Sequence, residues 1–208
     1  TVTEMVDGAG LGAIRAMYIM GENPLVADPD INHAREALSR LDFLAVQDIF
    51  PSETTELADV ILPAASFAEE DGTFTATDRR VQLVNRAIPP IGESRPDWEI
   101  VAALARRMGV PDGPLGGFDY VSPAEIMDEI AALTPSYAGI SHGRLAELGY
   151  LQWPCRSADD PGMSYLHKGQ FARGLGKFHA VAFRPADELP DEEYPLVLTT
   201  GRTMFHFH

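Results

Sequence analysis

The residues best suited to chemistry are a polar pair, Gln47-Asp48, that closes the apolar run from Phe43 to Val46, and an acidic residue, Asp97, that opens a helical pattern. A carboxylate can accept two parallel N–H bonds, which matches the N1 and N2 edge of a guanine, so Asp48 or Asp97 in a strand-end crevice suits a guanine-bearing ligand. Thr200-Gly201-Arg202 adds a hydroxyl, an approachable backbone and a guanidinium fork, a set that fits phosphate or a polar heterocycle. Each has a plainer reading. Gln47-Asp48 also serves as a strand-end cap bonding its own loop, and Asp97 as a helix N-cap.

Other chemistries find little support. There is no glycine fingerprint of the dinucleotide type, no phosphate loop ending in Gly-Lys-Ser/Thr, and no serine-hydrolase elbow around Ser66. The six histidines show no helical pair or Cys/His spacing for zinc; His206 and His208 would share one face of a strand, a geometry that more often flanks a ligand than binds a metal. Cys155 is the single cysteine, expected as a reduced, half-buried thiol in a cytosolic protein. No catalytic residue and no metal ligand is assigned.

The elements that position these groups follow from periodicity. Ile14 to Met20 reads as a buried parallel strand ending on Gly21, where glycine permits positive φ or close backbone approach, and Pro24 stops it. A helix from about Asp30 to Leu41 carries Ile31, Ala34, Ala37, Leu38 and Leu41 on one stripe. Then come the strand from Phe43, an acid- and threonine-rich helical turn opened by Pro51 and Ser52, and a strand from Asp59 to Leu62. This alternation predicts an α/β fold with a doubly wound, mostly parallel sheet, in which ligands sit beyond the carboxyl ends of strands. Phe67 to Ile88 reads as a loop and hairpin. A clear helix follows, with Asp97 as N-cap, Ile100, Val101, Leu104, Ala105 and Met108 on one face, and Gly109 as C-cap. After the Pro/Gly cluster from Pro111 to Gly117, helices are expected at Pro123 to Leu133 and Gly143 to Leu148, and strand-like segments beyond Asp159.

Composition bounds the partners. At 208 residues, with 45% apolar and 23% charged residues, the chain is ordinary globular protein. Its net charge of −15 opposes nucleic acid and anionic lipid, and no apolar run approaches a membrane span, so neither nucleic acid nor direct membrane insertion is expected. Thr1 is not an initiator and the run from Tyr194 to His208 stops like an unfinished strand, so a fragment of a longer protein is expected.

The segments YIMGENP (Tyr18 to Pro24), VQDIF (Val46 to Phe50), ADVILPA (Ala58 to Ala64), EEDGTFTATDRRVQ (Glu69 to Gln82), RPDWEI (Arg95 to Ile100), LGYLQWPC (Leu148 to Cys155) and YPLVLTTGRTMFHFH (Tyr194 to His208) occur in this order. Together they resemble the catalytic alpha subunit of molybdenum- or tungsten-dependent formate dehydrogenases, among the bis-molybdopterin-guanine-dinucleotide oxidoreductases. That resemblance implies an α/β cofactor-binding domain at 1–110, a helical extension at 111–158, and at 159–208 an extended segment leading into the first strands of a β-barrel-like domain. It implies cofactor contacts from Gly21, Glu22, Asn23, Gln47 and Asp48, a guanine-reading role for Asp97, a bordering Glu70, and an approach to the pterin and pyrophosphate by Thr200, Gly201 and Arg202 through His206 and His208. The 4Fe–4S cluster, the metal-ligating Cys or selenocysteine and the catalytic histidine are expected upstream. The implied parent is cytoplasmic, oxidises formate and passes electrons through the pterin to the cluster and then to a further subunit or other acceptor; the chain alone is expected to be inactive. A nitrate reductase of the same family and a non-catalytic respiratory-complex subunit on the same scaffold are the alternatives.

Overall fold

The computed structural model describes residues 1–111, 117–199 and 201, which divide into two compact units, Thr1–Ser164 and Tyr165–His208. In the first, helix α1 (Val2–Gly10) leads to strand β1 (Ala16–Met20), short helix α2 (Pro24–Ala27), α3 (Ile31–Leu38) and β2 (Phe43–Asp48). A 3-10 turn (Thr55–Leu57) and β3 (Val60–Pro63) complete a three-stranded parallel sheet in the order β1-β2-β3. Parallel neighbours need crossovers, and α2 with α3 supplies the first of them. Asp30 caps α3, its carboxylate accepting from the His33 amide at 3.0 Å.

The sheet's burial is uneven. Leu44, Ala45, Val46 and Gln47 of β2 are all buried, as befits a central strand covered on both faces. The expectation of a buried strand from Ile14 is corrected: β1 begins at Ala16 and alternates exposed with half-buried residues, because it forms the edge of this sheet. Val6, Ala9, Leu25, Ala34, Ala37 and Leu38 make one core cluster, with Met17, Ile19, Leu41 and Leu57 packed against it. The stripe on α3 is also narrower than its periodicity suggests, since Ile31 is exposed and the helix ends at Leu38.

Further along, β4 (Gly72–Thr75) and β5 (Arg80–Val84) form the expected antiparallel hairpin. Helix α4 (Asp97–Arg107) follows. Asp97 is not its N-cap: Pro96, at φ −51° and ψ 138°, holds that position and Asp97 is the first helical residue. At the other end Met108 is the C-cap and Gly109 lies one residue beyond it at φ +67°. Val101, Leu104 and Met108 are exposed, so the buried stripe of α4 reduces to Ala102 and Ala105.

Helices α5 (Pro123–Leu133) and α6 (His142–Leu148) then lead to β6 (Leu151–Gln152), which joins the hairpin by pairing with Arg80 and Val81. Val81, Met127, Ile140, Leu145, Leu151 and Cys155 form the core between them. Cys155 is completely buried rather than half-buried, because its thiol packs beneath Gly139 and donates to the Asp160 carbonyl at 3.2 Å.

In the second unit the described residues contain no strand beyond a single bridge between Phe171 and Gly174. The strand-like reading of this region is corrected to that extent, and Phe178, Phe183 and Leu198 are almost fully exposed. Apolar and aromatic composition alone does not make a strand when no neighbouring backbone supplies the ladder.

Candidate functional site

A glutamine side chain with no exposed surface is unusual in a sheet, since burying an amide without partners costs free energy. Gln47 has partners on both atoms. Its Oε1 accepts from the Tyr18 hydroxyl on β1, and its Nε2 donates to Asp97 Oδ1 at 2.5 Å. The polarity of this chain is fixed, because a carboxylate oxygen can only accept from the amide, leaving Gln47 Oε1 to face a donor. The fold explains the meeting. Gln47 lies at the carboxyl end of β2 opposite Met20 in register, and Asp97 arrives at the same end as the first residue of α4.

Asp97 also lines a hollow of about 200 Å³ together with Glu70, Gly72, Trp98 and Met127. Burial and then the neighbouring Asp97 charge push the Glu70 carboxyl above its ordinary value, against a hydrogen bond from the Asp97 backbone. Burial and the same charge raise the Tyr18 phenol. Among the described residues Asp97 Oδ2 receives no hydrogen bond.

Beside this lies a second polar group. Gly21, at φ +62°, ends β1 with its amide donating to the Gln47 carbonyl at 2.9 Å, and a side chain built there would meet nothing within 4 Å. Glu22 is exposed. Asn23 is tied to the loop after β2, its Nδ2 donating to Glu53 at 2.8 Å and its Oδ1 accepting from Thr54 at 2.7 Å. The Asn23 amide lowers the Glu53 carboxyl below its ordinary value. Asp48 turns inward to its own chain, accepting from the Ile49 amide at 2.7 Å.

The structure thus brings Gln47, Asp97 and Glu70 together and sets Gly21 and Asn23 at the same sheet end. Gly201 is exposed and stands in the second unit; Thr200, Arg202, His206 and His208 lie outside the described residues. Tyr18, Glu53 and Thr54 were missed by sequence reasoning. For Tyr18 a signal existed, because a tyrosine within a strand seeks a partner for its hydroxyl; for Thr54, wholly buried in a polar loop, there was none. Among the described residues no group of three or more His, Cys, Asp or Glu is placed to hold a metal ion, and no helix is long and apolar enough to cross a membrane.

A parallel α/β sheet with polar groups gathered at its carboxyl end is the arrangement in which proteins of the open-sheet class place their ligands. The chain belongs to the molybdopterin oxidoreductase family, whose model matches residues 1–107. It is 51% identical over 210 residues to the F420-dependent formate dehydrogenase 2 subunit alpha of Methanococcus maripaludis, covering 100% of this chain and 30% of the relative. It is 49% identical to the F420-dependent formate dehydrogenase subunit alpha of Methanocaldococcus jannaschii with the same coverage, and 42% identical to a putative formate dehydrogenase of Staphylococcus haemolyticus, of which it covers 20%. The chain therefore spans about 30% of the length of the first two relatives. Acetylene hydratase from Pelobacter acetylenicus shares the fold, with a TM-score of 0.56 and 18% identity over 70% of this chain and 20% of that one.

Proposed function

We propose that this chain is the cofactor-anchoring part of a formate dehydrogenase alpha subunit. The observation that carries the reading is the Gln47–Asp97 contact, which sets a carboxylate at the mouth of the sheet in a chain whose relatives are named formate dehydrogenases. The group it fits is a molybdopterin guanine dinucleotide. Asp97 would hold it, its carboxylate being able to accept from the guanine N1 and N2 donors, and the hollow that Asp97 lines with Trp98 would take the base. Gly21 allows the ligand to approach bare backbone, and Asn23 and Glu53 hold the loops on either side.

When bound, the pterin with its molybdenum or tungsten supplies the redox chemistry, the two-electron oxidation of formate to carbon dioxide and a proton. This chain binds and orients; it donates no reacting atom. The 4Fe–4S cluster and the acceptor subunit belong to polypeptide outside it, and the setting is the reducing cytoplasm, in keeping with the free Cys155 thiol.

The test is formate-dependent reduction of a viologen dye by the full-length protein, with its molybdenum, tungsten and GMP contents measured on the same preparation. Dye reduction with stoichiometric GMP is expected. A cofactor-replete preparation that leaves the dye oxidised, or one that reduces nitrate instead, overturns the assignment of substrate; one that contains neither metal nor GMP overturns the assignment of cofactor.

A further inference from the structure

We propose that the face on which helix α4 meets strand β3 is an internal docking surface, and that its occupant is a segment of the same alpha subunit outside these 208 residues, with apolar side chains flanked by carboxylates. The inference rests on reading the chain as part of a longer subunit and uses none of the residues assigned to the cofactor.

Helix α4 carries an apolar stripe that its own chain does not use. Val101, Leu104 and Met108 recur at spacings of three and four residues, the pattern of a helix face that packs against something. All three are exposed, Met108 at 72%, while the chain's own core takes only Ala102 and Ala105 from this helix. Strand β3 repeats the mismatch. Its Val60 and Ile61 are exposed, although the strand belongs to a parallel sheet, a class whose faces are ordinarily both covered. Where the two elements meet, Leu62, Pro63, Ile100, Ala103 and Leu104 line a groove of about 450 Å³. Apolar residues gathered on two adjacent elements differ from singly scattered ones: they mark a contact.

The rim of the groove indicates the charge of what covers it. Arg95 and Arg107 stand there with one acid, Glu93. Arg95 is fixed by its backbone, whose amide donates to the Pro63 carbonyl at 3.1 Å and whose carbonyl accepts from the Ala65 amide at 2.8 Å. Neither guanidinium joins an ion pair among the described residues. In a chain of 16 basic and 31 acidic residues, two such arginines beside apolar side chains suit a carboxylate brought from elsewhere. The relatives supply the source. The chain spans 30% of the Methanococcus and Methanocaldococcus alpha subunits, so more than twice its length belongs to the same polypeptide in them. A tethered segment meets the groove at high effective concentration and needs less intrinsic affinity than a free partner, which favours it over a second copy or another subunit.

The experiment uses the full-length protein, purified with the subunits that accompany it and carrying the photo-crosslinking residue p-benzoylphenylalanine in place of Leu104. It is made as a mixture of isotopically light and heavy protein, irradiated, digested and mapped by mass spectrometry. The expected product joins position 104 to a peptide of the same molecule outside residues 1–208, with an Asp or Glu within about four residues of the joined site. Arg107→Glu should lower the yield of that product at least about five-fold, because like charges across a contact repel, and Arg107→Lys should keep it. The same crosslinker in place of Met108, the most exposed residue of the stripe, carries the test if the Leu104 variant does not fold. A product joining light to heavy protein, one reaching another subunit or residues 1–208, or an unreacted crosslinker in the folded protein overturns the proposal. So does a same-subunit product whose yield is indifferent to Arg107→Glu. None of these readouts involves formate or dye, so failure here leaves the proposed function standing.

Discussion

Thr54 and Asn23, 31 residues apart, are joined by a hydrogen bond in which Thr54 Oγ1 donates to Asn23 Oδ1 at 2.7 Å. The same hydroxyl oxygen accepts from the Leu25 amide at 3.4 Å, so one buried threonine ties the loop after β2 to the start of α2. Thr54→Val keeps the shape and removes the hydroxyl. Stranding Asn23 Oδ1 and the Leu25 amide should cost about 1–3 kcal/mol, read as a lower urea midpoint of the chain. In the full-length protein the GMP content should fall as well, because Asn23 then loses its hold on the loop.

Glu70 predicts a pH dependence. Its carboxyl lies above the ordinary 4.5, with burial as the larger cause and the Asp97 charge the smaller. The folded state therefore binds this proton more tightly than the unfolded one, and stability from this group is full below 4.5 and falls as pH rises through the folded value. Glu70→Gln should raise the urea midpoint at pH 7.5. That gain should vanish by pH 4, and a gain independent of pH would assign the effect to something other than ionisation.

Much of this architecture was readable from local pattern. The apolar run ending on Gly21, the Ala34, Ala37 and Leu38 stripe and the polar Gln47-Asp48 stop gave the βαβ order, since each depends on a spacing of two to four residues. The contacts that make the site are not local. Gln47 meets Asp97 across 50 residues, and β6 pairs with β5 across 70, distances over which no periodicity carries information. Acids favour the N-cap position, so the sequence offers Asp97 as a cap as well as a guanine-reading carboxylate; Pro96 fills the cap instead, and the carboxylate meets Gln47. In the tail, aromatic-rich composition suggested strands where the described residues form none.

Arg144 carries a third prediction. Its guanidinium donates to the carbonyls of Gly139, Ser157 and Asp160 and to the Cys155 thiol, closing the loop that covers the sulfur. Arg144→Met keeps the aliphatic stem and removes every donor. The chain should lose about 1.5–3 kcal/mol, and Cys155, completely buried in the wild type, should react with Ellman's reagent at least ten-fold faster as the loop opens. Unaltered thiol reactivity would mean that Pro154 and Ile140 cover the sulfur without the arginine.

Two glycines near the same loop should respond to one substitution with opposite signs. A methyl group on Gly139 would stand 2.1 Å from the Ser157 carbonyl oxygen and 2.6 Å from Cys155 Sγ, closer than either backbone or sulfur can allow without moving. Gly139→Ala must therefore push the 155–157 segment outward, breaking the Arg144 contacts as it goes, at a cost of about 1–3 kcal/mol or more for overpacking. Gly143, inside α6, would meet only Ser141 Oγ at 4.0 Å, and alanine there gains helix propensity worth up to about 1 kcal/mol. Thermal unfolding should place Gly139→Ala several degrees below the wild type and Gly143→Ala level with it or above. Ellman's reagent adds an independent check, since Gly139→Ala should expose the Cys155 thiol and Gly143→Ala should not.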